Sequence, residues 1–149
     1  MNNEIEKVKE FHLRFGQPIV EKPSFPSKER CDFRLELIRE EFKELVTAVD
    51  NSDLKETVDG ICDLIYVIVG TAIEFGLSDK LKNNFDETHR SNMTKACSTI
   101  EEAQATVDHY YIRGIDAYYE ESDGSFLVRR LSDDKILKSV NYSPVNYDI

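Results

Sequence analysis

Ile5, Val8, Phe11 or His12, and Phe15 recur at three- and four-residue steps, the period of one helical face, and Gly16 with Pro18 supplies a stop. A loop carrying Pro18, Pro23 and Pro26 leads to Ser27, an N-cap candidate. Cys31, Leu35, Ile38, Phe42, Leu45 and Val49 then form a second, longer stripe that reaches about Asp50. Asn51-Ser52-Asp53 is a short turn, and Asp53 with Glu56 has the spacing of a capping box. The third helix runs from there to a C-cap at Gly76, so the second and third helices form an antiparallel hairpin.

Ser78 or Asp79 can cap a fourth helix through Leu81, Phe85 and Thr88 or His89, and Thr99 with Glu102 can cap a fifth that ends near Gly114. Beyond it the period shortens. AYYEES and SFLVRRL flank Asp123-Gly124, the pairing that favours a type I′ turn, so a small β-hairpin is expected. A turn at Ser132-Asp133-Asp134 and an extended tail complete a mainly α chain: an antiparallel helical bundle with a small C-terminal β-hairpin. The 149 residues suit a single domain, with catalytic helices over 1–95 and an additional helix, hairpin and tail over 96–149.

Charge narrows the function. With 29 acidic against 19 basic residues, the net charge is −10, and a nucleic-acid backbone would be repelled. Cys31, Cys62 and Cys97 are odd in number and lack metal-ligand spacing, which favours reduced thiols and a cytoplasmic setting. The start, MNNEIEKVKEF, has no apolar signal core, and LIYVIV at 64–69 is too short to cross a bilayer, so no membrane partner is expected.

The acids of the hairpin carry the chemistry. At 100° per residue Glu41 and Glu44 share a face with Leu37 and Ala48, beside the main apolar stripe, and are expected to be half-buried. Glu40 lies farther round but four residues before Glu44, so it reaches the same place from the edge. On the third helix Glu56, Asp59, Asp63, Tyr66 and Gly70 form one stripe, and in so short a hairpin the two acidic stripes can converge. Crowded carboxylates repel one another unless cations offset the charge. An all-oxygen donor set without Cys or His favours Mg²⁺, with Mn²⁺ as the second choice, over zinc. The competing reading is a solvated face, with Arg39 and Lys43 forming local ion pairs in REEFKE; Asp63 is open between the site and a structural bond to a tyrosine or lysine. Phe11, His12 and Phe15 have the spacing of core residues, with contact to a nucleobase as the alternative.

Glu41-x-x-Glu44 followed by Glu56-x-x-Asp59 resembles the double acidic motif of the MazG-like, all-α nucleoside triphosphate pyrophosphohydrolases. LIREEFKELVTAVD, ETVDGICDLIYVIVGTAIEFG and FDETHRSNMTK resemble successive blocks of the branch related to phosphoribosyl-ATP pyrophosphohydrolase, and LSDDKILKSVNYSP resembles its basic C-terminal block. The resemblance covers most of residues 4–95 and about 123–145; the segment CSTIEEAQATVDHYYIRGIDAYY is additional to the family's short form.

The resemblance implies Mg²⁺ ligation by Glu41, Glu44, Glu56 and Asp59, with Glu40 as a further ligand or a water-orienting group. It also implies contacts to sugar and phosphates from Asn92 and Lys95, and closure over the phosphates by Lys135 and Lys138. The implied reaction is hydrolysis of a (d)NTP substrate to the monophosphate and pyrophosphate. Phosphoribosyl-ATP is the alternative substrate, and a noncatalytic helical partner-binding protein is the alternative of another class. A hairpin this thin leaves apolar surface for a partner copy, so a homodimer or dimer of dimers is expected.

Overall fold

The computed structural model covers residues 1–149. Five helices, α1 (Asn2–Arg14), α2 (Lys28–Asp50), α3 (Leu54–Glu74), α4 (Ser78–Met93) and α5 (Ile100–Tyr111), precede strands β1 (Ala117–Ser122) and β2 (Ser125–Arg130). Contacts divide the chain into two compact units, residues 1–82 with Ile149, and residues 83–148, with the division falling inside α4.

In the first unit the local signals act as the sequence predicts. The Ser27 side chain accepts from Arg30 N at the start of α2, and the Asp53 carboxylate accepts from Lys55 N and Glu56 N at the start of α3. The expected box is one-sided, because the Asp53 amide bonds to Ala48 O, not to Glu56. α4 begins at Ser78 itself, so this serine is inside the first turn and caps nothing; its Oγ is buried without a partner. Ile5 and Val8 of α1 pack on Val69 and Ile73 of α3, with Ile19 and Leu81 against them. Ile73 is fully buried, which contributes about 2–3 kcal/mol.

The base of the α2–α3 hairpin is held by charge. Glu74, 1% exposed, accepts from Arg30 Nε at 2.5 Å and Nη2 at 2.6 Å, and Arg34 Nη1 lies 3.4 Å away. Arg34 also donates to Val67 O and Thr71 Oγ1. It fits because residue 70 is glycine: a Cβ there would stand 2.6 Å from Arg34 Nη2 and 3.1 Å from His12 Nε2. His12 is buried and its Nδ1–H donates to Pro18 O at 2.8 Å. Of the three ring-bearing residues at the end of α1, therefore, only His12 enters the core; Phe11 and the C-cap residue Phe15 are 41% and 57% exposed.

The α2 stripe also departs from expectation. Leu35, Phe42 and Val49 lie exposed, while Arg34 and Ala48 are the buried residues of this helix. On α3, Val58, Ile61 and Ile65 are exposed as well. One chain supplies too few helices to cover both faces of the hairpin, so the amphipathic pattern is satisfied on one side alone.

The second unit is built on Cys97, Ala103, Val128 and Leu137, with Val107, Tyr110, Ile115 and Phe126 packed against them. β1 and β2 pair antiparallel with Tyr119 opposite Val128, and Asp123 (φ 48°) and Gly124 (φ 74°) make the expected I′-type turn. Thr99 caps α5, as predicted, but Glu102 reaches back to the Ser98 amide. The tail is not loose: Leu137 N bonds Val128 O, and the Asn84 side chain exchanges two hydrogen bonds with the Asp148 backbone. Cys31, Cys62 and Cys97 are free thiols. No helix is long and apolar enough to cross a membrane.

Candidate active site

Where Gly60 of α3 meets Leu45 of α2, the two backbones approach so closely that a Cβ on residue 60 would lie 3.1 Å from both Leu45 Cα and Cβ. Each contact residue has an acid as its neighbour in sequence: Glu44 precedes Leu45, and Asp59 precedes Gly60. The absence of a side chain at one position thus lets the two acidic stripes draw together.

Alongside this contact, and reaching on to the tip, runs an open groove of about 600 Å³, lined by Glu40, Glu41, Lys43, Glu44, Thr47, Ala48, Asn51, Asp53 and Glu56. Glu41 is half-buried and Glu40, Glu44, Glu56, Asp59 and Asp63 are exposed, so the expectation of half-burial holds for Glu41 and fails for Glu44. The Glu41 carboxyl is raised above its ordinary value by burial first, and then by the charges of Asp63, Glu44, Glu40 and Asp59. Five acids from two helices therefore share one field. Arg39 does not relieve it, because it pairs with Glu36 at 3.0 Å.

Convergence stops short of a closed cage. No three carboxylate, imidazole or thiol groups stand close enough to hold an ion in this conformation, so the two acidic stripes approach without the full convergence expected of them. Exposed glutamates on a helix face keep their rotamer freedom until something gathers them. The donor set nevertheless suits a hard divalent cation in kind: carboxylate oxygens alone, excess negative charge, and a groove open to water and phosphate.

The structure gives Asp63 no tyrosine or lysine partner, and it adds more to the field on Glu41 than any other acid. Sequence reasoning left Asp63 open and did not single out Thr47, Asn51 or Lys43 as groove residues. Their signal was present, since Lys43 and Thr47 follow Glu40 and Glu44 by three residues and share their side of α2.

Asn92, Lys95, Lys135 and Lys138 belong to the second unit. Asn92 is exposed near the end of α4, and its carbonyl accepts from Lys95 N at 3.1 Å. Lys135 is exposed, and the Lys138 ammonium lies 4.3 Å from the centroid of the Tyr142 ring.

A helical hairpin with an acidic motif on each of its helices has the organisation of the MazG-like, all-α pyrophosphohydrolase superfamily. Within it, residues 8–92 match the family model for phosphoribosyl-ATP pyrophosphohydrolase, and the chain belongs to that family. The matched span holds every proposed metal ligand and Asn92; Lys95, Lys135 and Lys138 fall outside it. The chain is also 36% identical, over 77 residues, to an uncharacterized protein of Acanthamoeba polyphaga mimivirus; the match covers 49% of this chain and 31% of that protein.

Proposed function

We propose that the protein is a Mg²⁺-dependent nucleoside triphosphate pyrophosphohydrolase, in which water opens the α–β anhydride to release the monophosphate and pyrophosphate. The observation that carries this reading is the shared field on Glu41, produced by acids of both helices beside a groove in whose lining Lys43 is the one cation against four glutamates and an aspartate. Glu41, Glu44, Glu56 and Asp59 hold the metal, with Glu40 as a further ligand or as the acceptor that orients the attacking water. When bound, Mg²⁺ neutralises phosphate charge and lowers the pKa of a coordinated water. Asn92, Lys95, Lys135 and Lys138 are the candidates for sugar and phosphate contacts, and Lys43 is a cation of the groove itself.

The family match favours a second reading, phosphoribosyl-ATP as substrate of the same reaction. Incubation with Mg²⁺ and a panel of (d)NTPs and phosphoribosyl-ATP, read by chromatography, separates the two by which substrate yields pyrophosphate. Metal binding with turnover of none of them would support a noncatalytic partner-binding role. The functional species is a homodimer or dimer of dimers, because Leu35, Phe42, Val58, Ile61 and Ile65 expose large apolar area on the hairpin. Light scattering tests it. Three free thiols fit a reducing compartment such as the cytoplasm.

A further inference from the structure

The groove provides for the phosphates of a nucleotide, and on that reading the base must lie along the hairpin in one of two directions. Toward the tip the lining is Thr47, Ala48, Asn51 and Asp53, which offer a base no flat face. In the other direction the stripe of Glu56, Asp59 and Asp63 continues to Tyr66, about 10 Å along the axis from Asp59 at 1.5 Å per residue. There the Tyr66 ring meets Phe11 of α1 edge-on, with centroids 5.6 Å apart and planes at 88°, and Phe11 lies 4.5 Å from Phe15.

These rings touch one another yet stay open to solvent: Phe11, Phe15 and Tyr66 are 41%, 57% and 38% exposed. Ile5, Val8 and His12 of the same helix are buried, so α1 turns one face to the core and presents aromatic surface on another. Glu10, exposed beside Phe11, lies near enough to Tyr66 that its charge adds to burial in raising the phenol above its ordinary value. An aromatic cluster with a carboxylate at its edge continues the line of the acidic stripe.

We propose that Phe11, Phe15 and Tyr66 form the platform on which the nucleobase stacks, and that Glu10 accepts a hydrogen bond from an exocyclic amine of that base. Stacking alone tolerates any base, because each has a π face. The carboxylate discriminates. It accepts from the amino groups of adenine, cytosine or guanine, whereas the O4 carbonyl of uracil or thymine sets lone pairs against lone pairs.

The test uses the intact protein with Mg²⁺, non-hydrolysable α,β-methylene triphosphates of adenosine, cytidine and uridine, and inorganic tripolyphosphate as the base-free probe. Wild type should bind the adenine and cytosine analogues about tenfold more tightly than the uracil analogue, and Glu10→Gln should bring the three within about twofold. Tyr66→Leu should weaken all three nucleotides about tenfold and Phe15→Leu severalfold, with tripolyphosphate binding unchanged. Unchanged nucleotide affinity in both ring variants overturns the platform; if light scattering shows that they dissociate an oligomer instead, the rings are an interface between copies. A base preference that survives Glu10→Gln removes Glu10 from the site. Failure of the underlying phosphate reading looks different: tripolyphosphate then fails to bind wild type, no nucleotide is hydrolysed, and the platform falls with it.

Discussion

The two ends of the α2–α3 hairpin use the same residue types to opposite ends. At the base, Glu74 is buried between Arg30 and Arg34, and every member of the network is bonded within the chain. Toward the tip, Glu40, Glu41, Glu44, Asp59 and Asp63 share a field, Lys43 is the one cation lining the groove beside them, and Arg39 turns to Glu36. A buried acid with partners inside its own chain is one the fold cannot lose without stranding those partners; acids crowded without partners repel one another, and on the proposed function a cation offsets that charge. The second unit belongs with the base of the hairpin in this respect. Its Glu87 is held down at about 2 by Arg90 and the Asn146 amide, and Glu102 is lowered by Ser139 and by the Ser98 amide, so both carboxylates serve structure.

The contrast is broken most severely at Glu74. Glu74→Ala leaves the buried Arg34 and the half-buried Arg30 without their counter-charge and should cost about 3–5 kcal/mol in denaturant unfolding, as loss of one partner of a buried pair does. Substitution at the tip should act in the reverse sense. Glu44→Gln and Asp59→Asn should each lower kcat at least about a hundredfold while the circular dichroism spectrum stays unchanged, and the metal-free variants should melt at or above wild type. Near-normal Mg²⁺-dependent turnover in both would sink the assignment of the groove.

Gly60→Ala probes the hinge of the comparison, the close approach that gathers the tip acids. The new methyl must separate the helices by a few tenths of an ångström at Leu45, and kcat should fall about three- to tenfold with little change in KM. An unaltered kcat would show that the acids tolerate the shift.

The pH dependence separates the regions by sign. In the metal-free protein the Glu41 carboxyl is raised above 4.5, so the stability it contributes is present below that pH and is lost as pH rises through its raised value. Glu87 runs oppositely: its contribution is present above 4.5 and is lost as pH falls toward about 2. Melting temperatures from pH 4.5 to 7 should therefore fall more for wild type than for Glu41→Gln, and Mg²⁺ at pH 7 should restore the wild type more than the variant.

Lys138→Ala carries the smallest expected effect, a rise in KM of a few-fold with the Mg²⁺ titration of the hairpin unchanged. A point variant is required. Leu137 is built into the core with Cys97, Ala103 and Val128, so truncating the tail opens the second unit instead of testing a phosphate contact.

Most helix ends were legible in the sequence because they depend on short-range bonds. Ser27, Asp53 and Thr99 cap the helices expected of them, and Asp123-Gly124 turns the hairpin. Ser78 was misplaced because a serine preceding an aspartate offers two cap registers, and only packing chooses between them. The candidate acids were visible as two stripes, yet which acid is buried was not: Glu41 and Glu44 lie on one face in the sequence pattern, and the closure of α3 half-buries the first alone.

Local chemistry thus determined the helices, the turns and the acidic motif, since capping, periodicity and backbone conformation are decided within a few residues. Tertiary structure decided that His12 and Arg34 go inside while Phe11, Phe42 and Ile61 stay out. It also decided that Gly60 and Gly70 are the places where a missing side chain admits a neighbouring helix or a guanidinium. Such choices turn on shape and partner charge between elements far apart in the chain, where period specifies a face but not what meets it.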